Sequence, residues 1–117
     1  MYDSEMTVKN SVTIAAGGTE STVLVKKHYR NMAIFLPANW VTSAITFLGC
    51  STPTGTFIEI VKGSNAAAVT VASVAASKCV VLDDMVLRAL EPVPYIKLKS
   101  AQTQATTDKI IPIVLSR

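Results

Sequence analysis

Tyr95-Ile96-Lys97-Leu98-Lys99 alternates cleanly, with Ile96 and Leu98 on one parity and Lys97 and Lys99 on the other. Successive side chains of an extended chain point to opposite faces, so this period of two sets an aliphatic pair against a core and two ammonium groups in water. Before it, Pro92 and Pro94 forbid a helix from running on. After it, Ala101 to Asp108 is a polar run that reads as a loop, and Ile110 to Leu115 closes the chain as a strand. Pro112 within that strand predicts an edge position or a bulge, because proline cannot donate to a ladder.

The same period recurs toward the N-terminus. Met6, Val8, Val12 and Ile14 share one parity against Thr7, Lys9, Ser11 and Thr13, giving a half-buried strand with a break expected near Asn10. Gly17-Gly18 supplies the positive φ of a turn. Ser21 to Lys27 follows as a strand with Val23 and Val25 facing one way, and Met32 to Leu36 as another, closed by Pro37. Pro37 to Ser43 reads as a turn or one short helical turn holding Asn39 and Trp40; Ala44 to Cys50 alternates through Ile45, Phe47 and Gly49. Beyond the Pro53 loop, Thr56 to Val61 is a compact strand, and Lys62-Gly63-Ser64-Asn65 turns it into a hairpin.

Ala66 to Ser77 pulls both ways. Its alanines favour helix, but Val69, Thr70, Val71 and Val74 lose χ1 freedom there, so it reads as a strand with Val69 and Val71 on one face. Cys79 to Leu82 is a further short strand, and Asp83 or Asp84 caps a short helical turn through Leu90. About eight or nine short strands punctuated by turns define an all-β chain. The expectation is a single β-sandwich, jelly-roll-like, spanning 1–117, with 1–10 as an N-terminal arm or an edge strand.

Composition narrows the function. Of 117 residues, half are hydrophobic, 16% charged and 6% aromatic, which excludes a disordered chain and a coiled coil. A net charge of +3 comes from eleven basic against eight acidic residues, too mild an imbalance for a nucleic-acid binder. The one dense basic cluster is Lys26, Lys27, His28 and Arg30 around Tyr29, which reads first as a solvated strand end and second as a contact for phosphate or an acidic partner. The uncharged stretch Gly63 to Ser77 is too short and too rich in Ala, Ser and Thr to span a bilayer, and Met1 to Ser11 is no secretory signal, so no membrane partner is expected.

Chemistry is sparse. His28 is the sole histidine and has no carboxylate near it in sequence, so it is not read as a catalytic base. Asp83-Asp84 is the only adjacent acidic pair, and no further oxygen ligands stand at loop spacing; capping is the better account of it. Glu59 reads as solvent-facing. Cys50 and Cys79, in apolar surroundings, read as buried free thiols that could pair only if the fold brings them together. No catalytic residue, cofactor or metal is expected. Trp40, the sole tryptophan, is either a stacking platform for a sugar or base or a plug at one end of the sandwich, and the second reading is preferred because platforms come with further aromatic rings.

Leu36-Pro37-Ala38-Asn39-Trp40, then Ala44-Ile45-Thr46-Phe47 and Gly55-Thr56-Phe57, resemble a block of small structural proteins of tailed bacteriophages. Tyr95 to Ser100, the loop with Gln102 and Gln104, and the closing aliphatic strand extend the resemblance over about residues 30–117. It implies a virion component, above all a capsid decoration or cement protein, with the major capsid protein and further copies of itself as partners, a trimer favoured. It places the chain on the capsid surface, assembled in the host cytoplasm, with a phage tail or fibre component as the nearest rival and a carbohydrate-binding sandwich as a rival of another class. A charge-poor β chain also has few residues to guard its sheet edges, which points the same way, to edges covered in an assembly. Tyr2, Met6, Val8, Lys26, Lys27 and Arg30 are the expected capsid or subunit contacts.

Overall fold

The computed structural model describes residues 7–27 and 29–117. Its elements run β1 (Thr7–Ile14), β2 (Gly18–Glu20), β3 (Leu24–Val25), β4 (Asn31–Phe35), β5 (Ser43–Cys50), β6 (Ile58–Glu59), β7 (Thr70–Val74), β8 (Cys79–Val81), α1 (Asp84–Leu90), β9 (Tyr95–Gln104) and β10 (Lys109–Ser116). One antiparallel sheet has the order β1-β10-β4-β8; the other has β2-β9-β5-β6, with β3 also on β9 and β7 also on β5. When β2 and β3 count as one position along β9, and β6 and β7 as one along β5, the chain order in the first sheet is 1-8-3-6 and in the second 2-7-4-5. That interleaving of two four-stranded sheets is the jelly roll.

Alternation decides which side chains meet between the sheets. The first sheet sends in Val12, Ile14, Met32, Ile34, Ile111, Ile113 and Leu115, and the second sends in Leu24, Ile45, Phe47, Ile96 and Leu98, all buried. Cross-strand pairs such as Phe47 opposite Leu98 align these rows, so a slip of one residue would turn every row outward. Asp83 is the helix cap, its Oδ1 accepting from the Val86 N–H at 3.0 Å, and Val86 and Leu90 turn inward to close one end. Trp40 is also buried, with Nε1 donating to the Val74 carbonyl at 3.1 Å.

Several local expectations change. β1 is unbroken at Asn10, in register with β10 from Thr7 opposite Ser116 to Ile14 opposite Lys109. The expected strand over 21–27 contracts to β3 and an isolated bridge from Ser21 to Ile14, with β2 ahead of it, and Leu24 with Lys26 forms the buried parity opposite Val23 and Val25. Thr56 to Val61 contracts to β6, although the hairpin survives as a bridge from Val61 to Ala68. The polar run after Ser100 is half strand: β9 reaches Gln104, which pairs with Gly18 and is fully buried.

Pro112 lies in a strand with neighbours on both sides, neither at an edge nor at a bulge. The Arg30 N–H donates to the Ser116 carbonyl at 3.0 Å, so Ser116, Val114 and, two residues further back, Pro112 direct their backbone groups toward β4. The β4 ladder stops at Ile113, one residue short of the proline, and its missing N–H therefore breaks nothing.

The buried Gln104 generates a test. Its Oε1 accepts from the Val41 N–H at 2.8 Å, and its Nε2 donates to the Val41 carbonyl at 3.0 Å and to Ser100 Oγ at 2.9 Å. Gln104→Ala strands these groups and should cost about 1–3 kcal/mol. Urea denaturation should show a lower midpoint with an unchanged m-value; an unchanged midpoint would show that the amide does not hold the Val41 turn.

Candidate interaction surface

The register of the first sheet gathers three pieces of chain at one end. Thr7, where residues 1–6 join the fold, pairs with Ser116, which also pairs with Asn31. Asn31 Nδ2 donates to the Arg117 carbonyl at 3.0 Å. Arg30 thus stands beside the point of entry of the N-terminal residues and beside the C-terminus, with exposed Lys27 on the same connection. Arg30 Nε contacts Glu91 Oε2 at 3.3 Å, an exposed pair that contributes at most about 1 kcal/mol and leaves the guanidinium available to compete for another acid. Next to it a polar depression of about 220 Å³ is lined by Arg30, Asn31, Asp84, Arg88 and Glu91.

The expected contact residues divide. Lys27 and Arg30 are exposed at this end. Val8 is half-buried on the inward parity opposite Leu115. Tyr2 and Met6 lie outside the described residues, as does His28, while residues 7–10 of the expected arm belong to the edge strand β1. Lys26 is a correction. It is 2% exposed, and its ammonium donates to the carbonyls of Lys27 at 3.1 Å, Tyr29 at 3.3 Å and Glu91 at 3.3 Å. Lys27 adopts a left-handed φ of 48°, and the N–H groups of Lys26 and Lys27 both donate to the Pro94 carbonyl. The turn thereby locks a cation inside the fold and withdraws it from any outside partner.

The cysteines also depart from expectation. Cys79 is exposed and Cys50 half-buried, and both are free thiols. Odd positions of β8 face outward, as Cys79 and Val81 do, so an apolar sequence neighbourhood was no guide to burial. The backbone N–H and then the hydroxyl of Thr52 hold the Cys50 thiol below its ordinary pKa. An open cleft of about 470 Å³ beside it is lined by Gly49, Cys50, Ile58, Ile60, Val93 and Pro94 among others, with no aromatic ring in its lining. With Trp40 inside, neither place offers a sugar a stacking surface. Glu59 is exposed, as expected. Among the described residues no group of three or more His, Cys, Asp and Glu side chains stands close enough to hold a metal ion, and no helix is long and apolar enough to cross a membrane.

No protein-family model matches the sequence, and no curated protein does. Among solved structures, the fold is similar to the crystal structure of the SPBc2 prophage-derived protein YomS, with a TM-score of 0.55, 13% identity and 100% of each chain covered. A structure of Bacillus endospore appendages, described as a family of disulfide-linked pili, is similar at TM-score 0.34 and 16% identity over 95% of this chain and 88% of that one. The nora virus structure is similar at TM-score 0.36 and 9% identity over 94% of this chain and 54% of that one. At these identities the likeness to the prophage-derived protein is one of fold.

Burial holds the Lys26 ammonium below its ordinary pKa, with the Glu91 carboxylate opposing the shift. Between the lowered value and the ordinary one near 10.4, the unfolded chain binds a proton that the folded chain has released, so the Lys26 contribution to stability rises with pH. Lys26→Met removes that titration. The difference in unfolding free energy between wild type and Lys26→Met should therefore move in favour of wild type as pH is raised from about 8 to about 10.5; a flat difference would contradict the burial of a charged lysine.

Proposed function

We propose that this chain is a virion structural protein that binds the outer surface of a phage capsid and stabilises the shell, as a cement or decoration protein does. The observation that carries the reading is the convergence of the N-terminal entry point, Lys27, Arg30 and the C-terminus on one end of a jelly roll. Support for a phage origin comes from the sequence resemblance and from the whole-length likeness of fold to a prophage-derived protein.

The mechanism needs no reaction. A protein that binds the assembled shell and not its loose subunits stabilises the shell by mass action, about 2.7 kcal/mol per site when present at a hundredfold excess over Kd. β1 is the terminal strand of its sheet; its Ile14 end is closed by Thr22, whose N–H donates to the Thr13 carbonyl and whose hydroxyl accepts from the Thr13 N–H, which leaves the outer edge near Thr7, where residues 1–6 join, for a further strand. Lys27 and Arg30 flank that route with positive charge, suited to an acidic rim on the major capsid protein. Copies of the chain associate with one another as a homo-oligomer on the capsid surface, where multivalent attachment slows their loss. A tail or fibre component would use the same end on a different part of the particle.

The test is co-sedimentation of purified protein with expanded empty capsids. Deleting residues 1–6, and separately reversing charge with Lys27→Glu plus Arg30→Glu, should each lower capsid affinity by about tenfold or more, equivalent to roughly 1.4 kcal/mol or more. Far-UV circular dichroism should be unchanged in both. Wild-type binding by both variants would remove this end of the molecule from the interface.

A further inference from the structure

The two sheets meet water differently. On the outer face of the second sheet, Lys99 stands between Glu20 and Thr46, Lys97 beside Leu48, and Glu59 on the far side of Leu48. Lys97 also covers the Phe57 ring at 4.8 Å. That is how a solvated sheet face is built, with charge and hydroxyls on the outward parity. The first sheet lacks this treatment. Across its outer face run Val81, Ala33, Val114 and Lys9 in one row, and Cys79 with Phe35 in the next, followed by Pro112 opposite Ser11 and Ile110 opposite Thr13. Val81 is 74% exposed, Ile110 60% and Phe35 40%. An apolar sheet face of this kind marks an interaction surface.

We infer that the outer face of the β1-β10-β4-β8 sheet is covered by the same face of a second copy of this chain, related by a two-fold axis. This deepens the self-association in the reading above by naming the surface and its symmetry. Three observations select a second copy. The only charged side chain of the described residues in these outward rows is Lys9, on the edge strand β1, so apposing the face with itself brings no block of like charge together. The apolar positions run from the edge strand β8 across β4 to β10, and polar Thr7, Ser11, Thr13, Asn31 and Ser116 border them along β1 and at one end, as a polar rim borders an interface core. The face also carries its own knob and hole. Phe35 projects at one level, and one step along the same strand a shallow depression of about 190 Å³ opens over small Ala33, walled by Val81, Leu87 and Val114.

These features fix the symmetry. An axis lying in the interface, across the strands at the level of Val80, Ile34 and Ile113, keeps like strand over like strand and reverses its direction. Phe35 of each copy then stands over Ala33 and Val114 of the other, Val81 over Cys79, and Lys9 over Ser11 rather than over another lysine. Four strands about 4.8 Å apart and roughly six residues of about 3.4 Å each give a face on the order of 20 × 20 Å. Side-chain relief carries the accessible area beyond that projection, so two apposed faces reach the lower part of the roughly 1,200–2,000 Å² of stable interfaces. Face-to-face closure makes the unit a pair, in place of the trimer expected from the sequence.

Sedimentation velocity on the purified full chain, without capsids, tests the pairing separately from shell binding. Wild type at about 10–100 μM, concentrations that populate a pair with micromolar Kd, should sediment at twice the 12.4 kDa chain mass. Val81→Lys and, independently, Ile110→Lys should sediment as single chains with unchanged circular dichroism, both sites being well exposed in the folded chain. In the same samples the Cys79 thiol, located by mass spectrometry, should react with a maleimide at least tenfold more slowly in wild type than in Val81→Lys. A wild type of single-chain or trimer mass, a Val81→Lys protein that remains paired, or equal Cys79 reactivity would overturn the inference. Loss of capsid binding by a protein that still pairs would count only against the shell reading.

Discussion

The contact on which the structure depends is the one between the aliphatic rows that β10 and β4 send inward and the Phe47, Ile45, Ile96 and Leu98 rows that β5 and β9 send back. Hydrophobic burial has no direction of its own, so direction comes from strand parity. Ile111, Ile113 and Leu115 fill the centre of one sheet because three odd-numbered positions of one strand must face the same way. Everything polar that lies between the sheets has to be satisfied inside that frame. Lys109, 1% exposed, donates to the carbonyls of Ala105 and Thr107 at 2.9 Å each and so draws the 105–108 connection over one end of the core. Lys26 does the same at the other connection through the carbonyls of Lys27, Tyr29 and Glu91. In both, the lysine Nζ donates to loop carbonyls, and both side chains stitch loops to strands.

Those two lysines also mark where the sequence stops being readable. The strands over Tyr95 to Lys99, Ala44 to Cys50 and Met32 to Leu36 were legible, the first two from the period-two placement of Ile96 with Leu98 and Ile45 with Phe47, the third as a short apolar run closed by Pro37. The Asp83 cap and the interior position of Trp40 were legible for local reasons, a carboxylate ahead of a short apolar helix and a lone large ring in a turn. Lys26 and Gln104 were not. A polar residue on the inward parity looks like a solvent residue on the outward parity until the fold supplies its acceptors, which for Gln104 come from Val41, distant in sequence. Pro112 misled for a related reason: whether a missing N–H matters depends on where the neighbouring ladder ends, and the ladder between β10 and β4 ends one residue short of it.

The candidate site was legible only in part. The basic cluster was visible as a run of charge, but its division into an exposed Lys27 and Arg30 and an enclosed Lys26 depends on the left-handed turn at Lys27. That the N-terminal residues enter beside Arg30 follows from the β1–β10–β4 register, which no local pattern encodes. The apolar outer face was hidden for the opposite reason. Val81, Phe35 and Ile110 come from three strands, and each reads singly as one more apolar residue of a core; only the sheet order shows that they share the side turned away from it.

On the proposed reading this jelly roll, with one solvated face, one apolar face and one basic end, is held between neighbours on a capsid. The direct measurement is electron cryo-microscopy of expanded empty phage capsids mixed with the purified protein. The account predicts ordered, stoichiometric density on the outer capsid surface, into which the sandwich fits with its basic end toward the shell. Capsids that remain bare at saturating protein, or density confined to the tail, would contradict it.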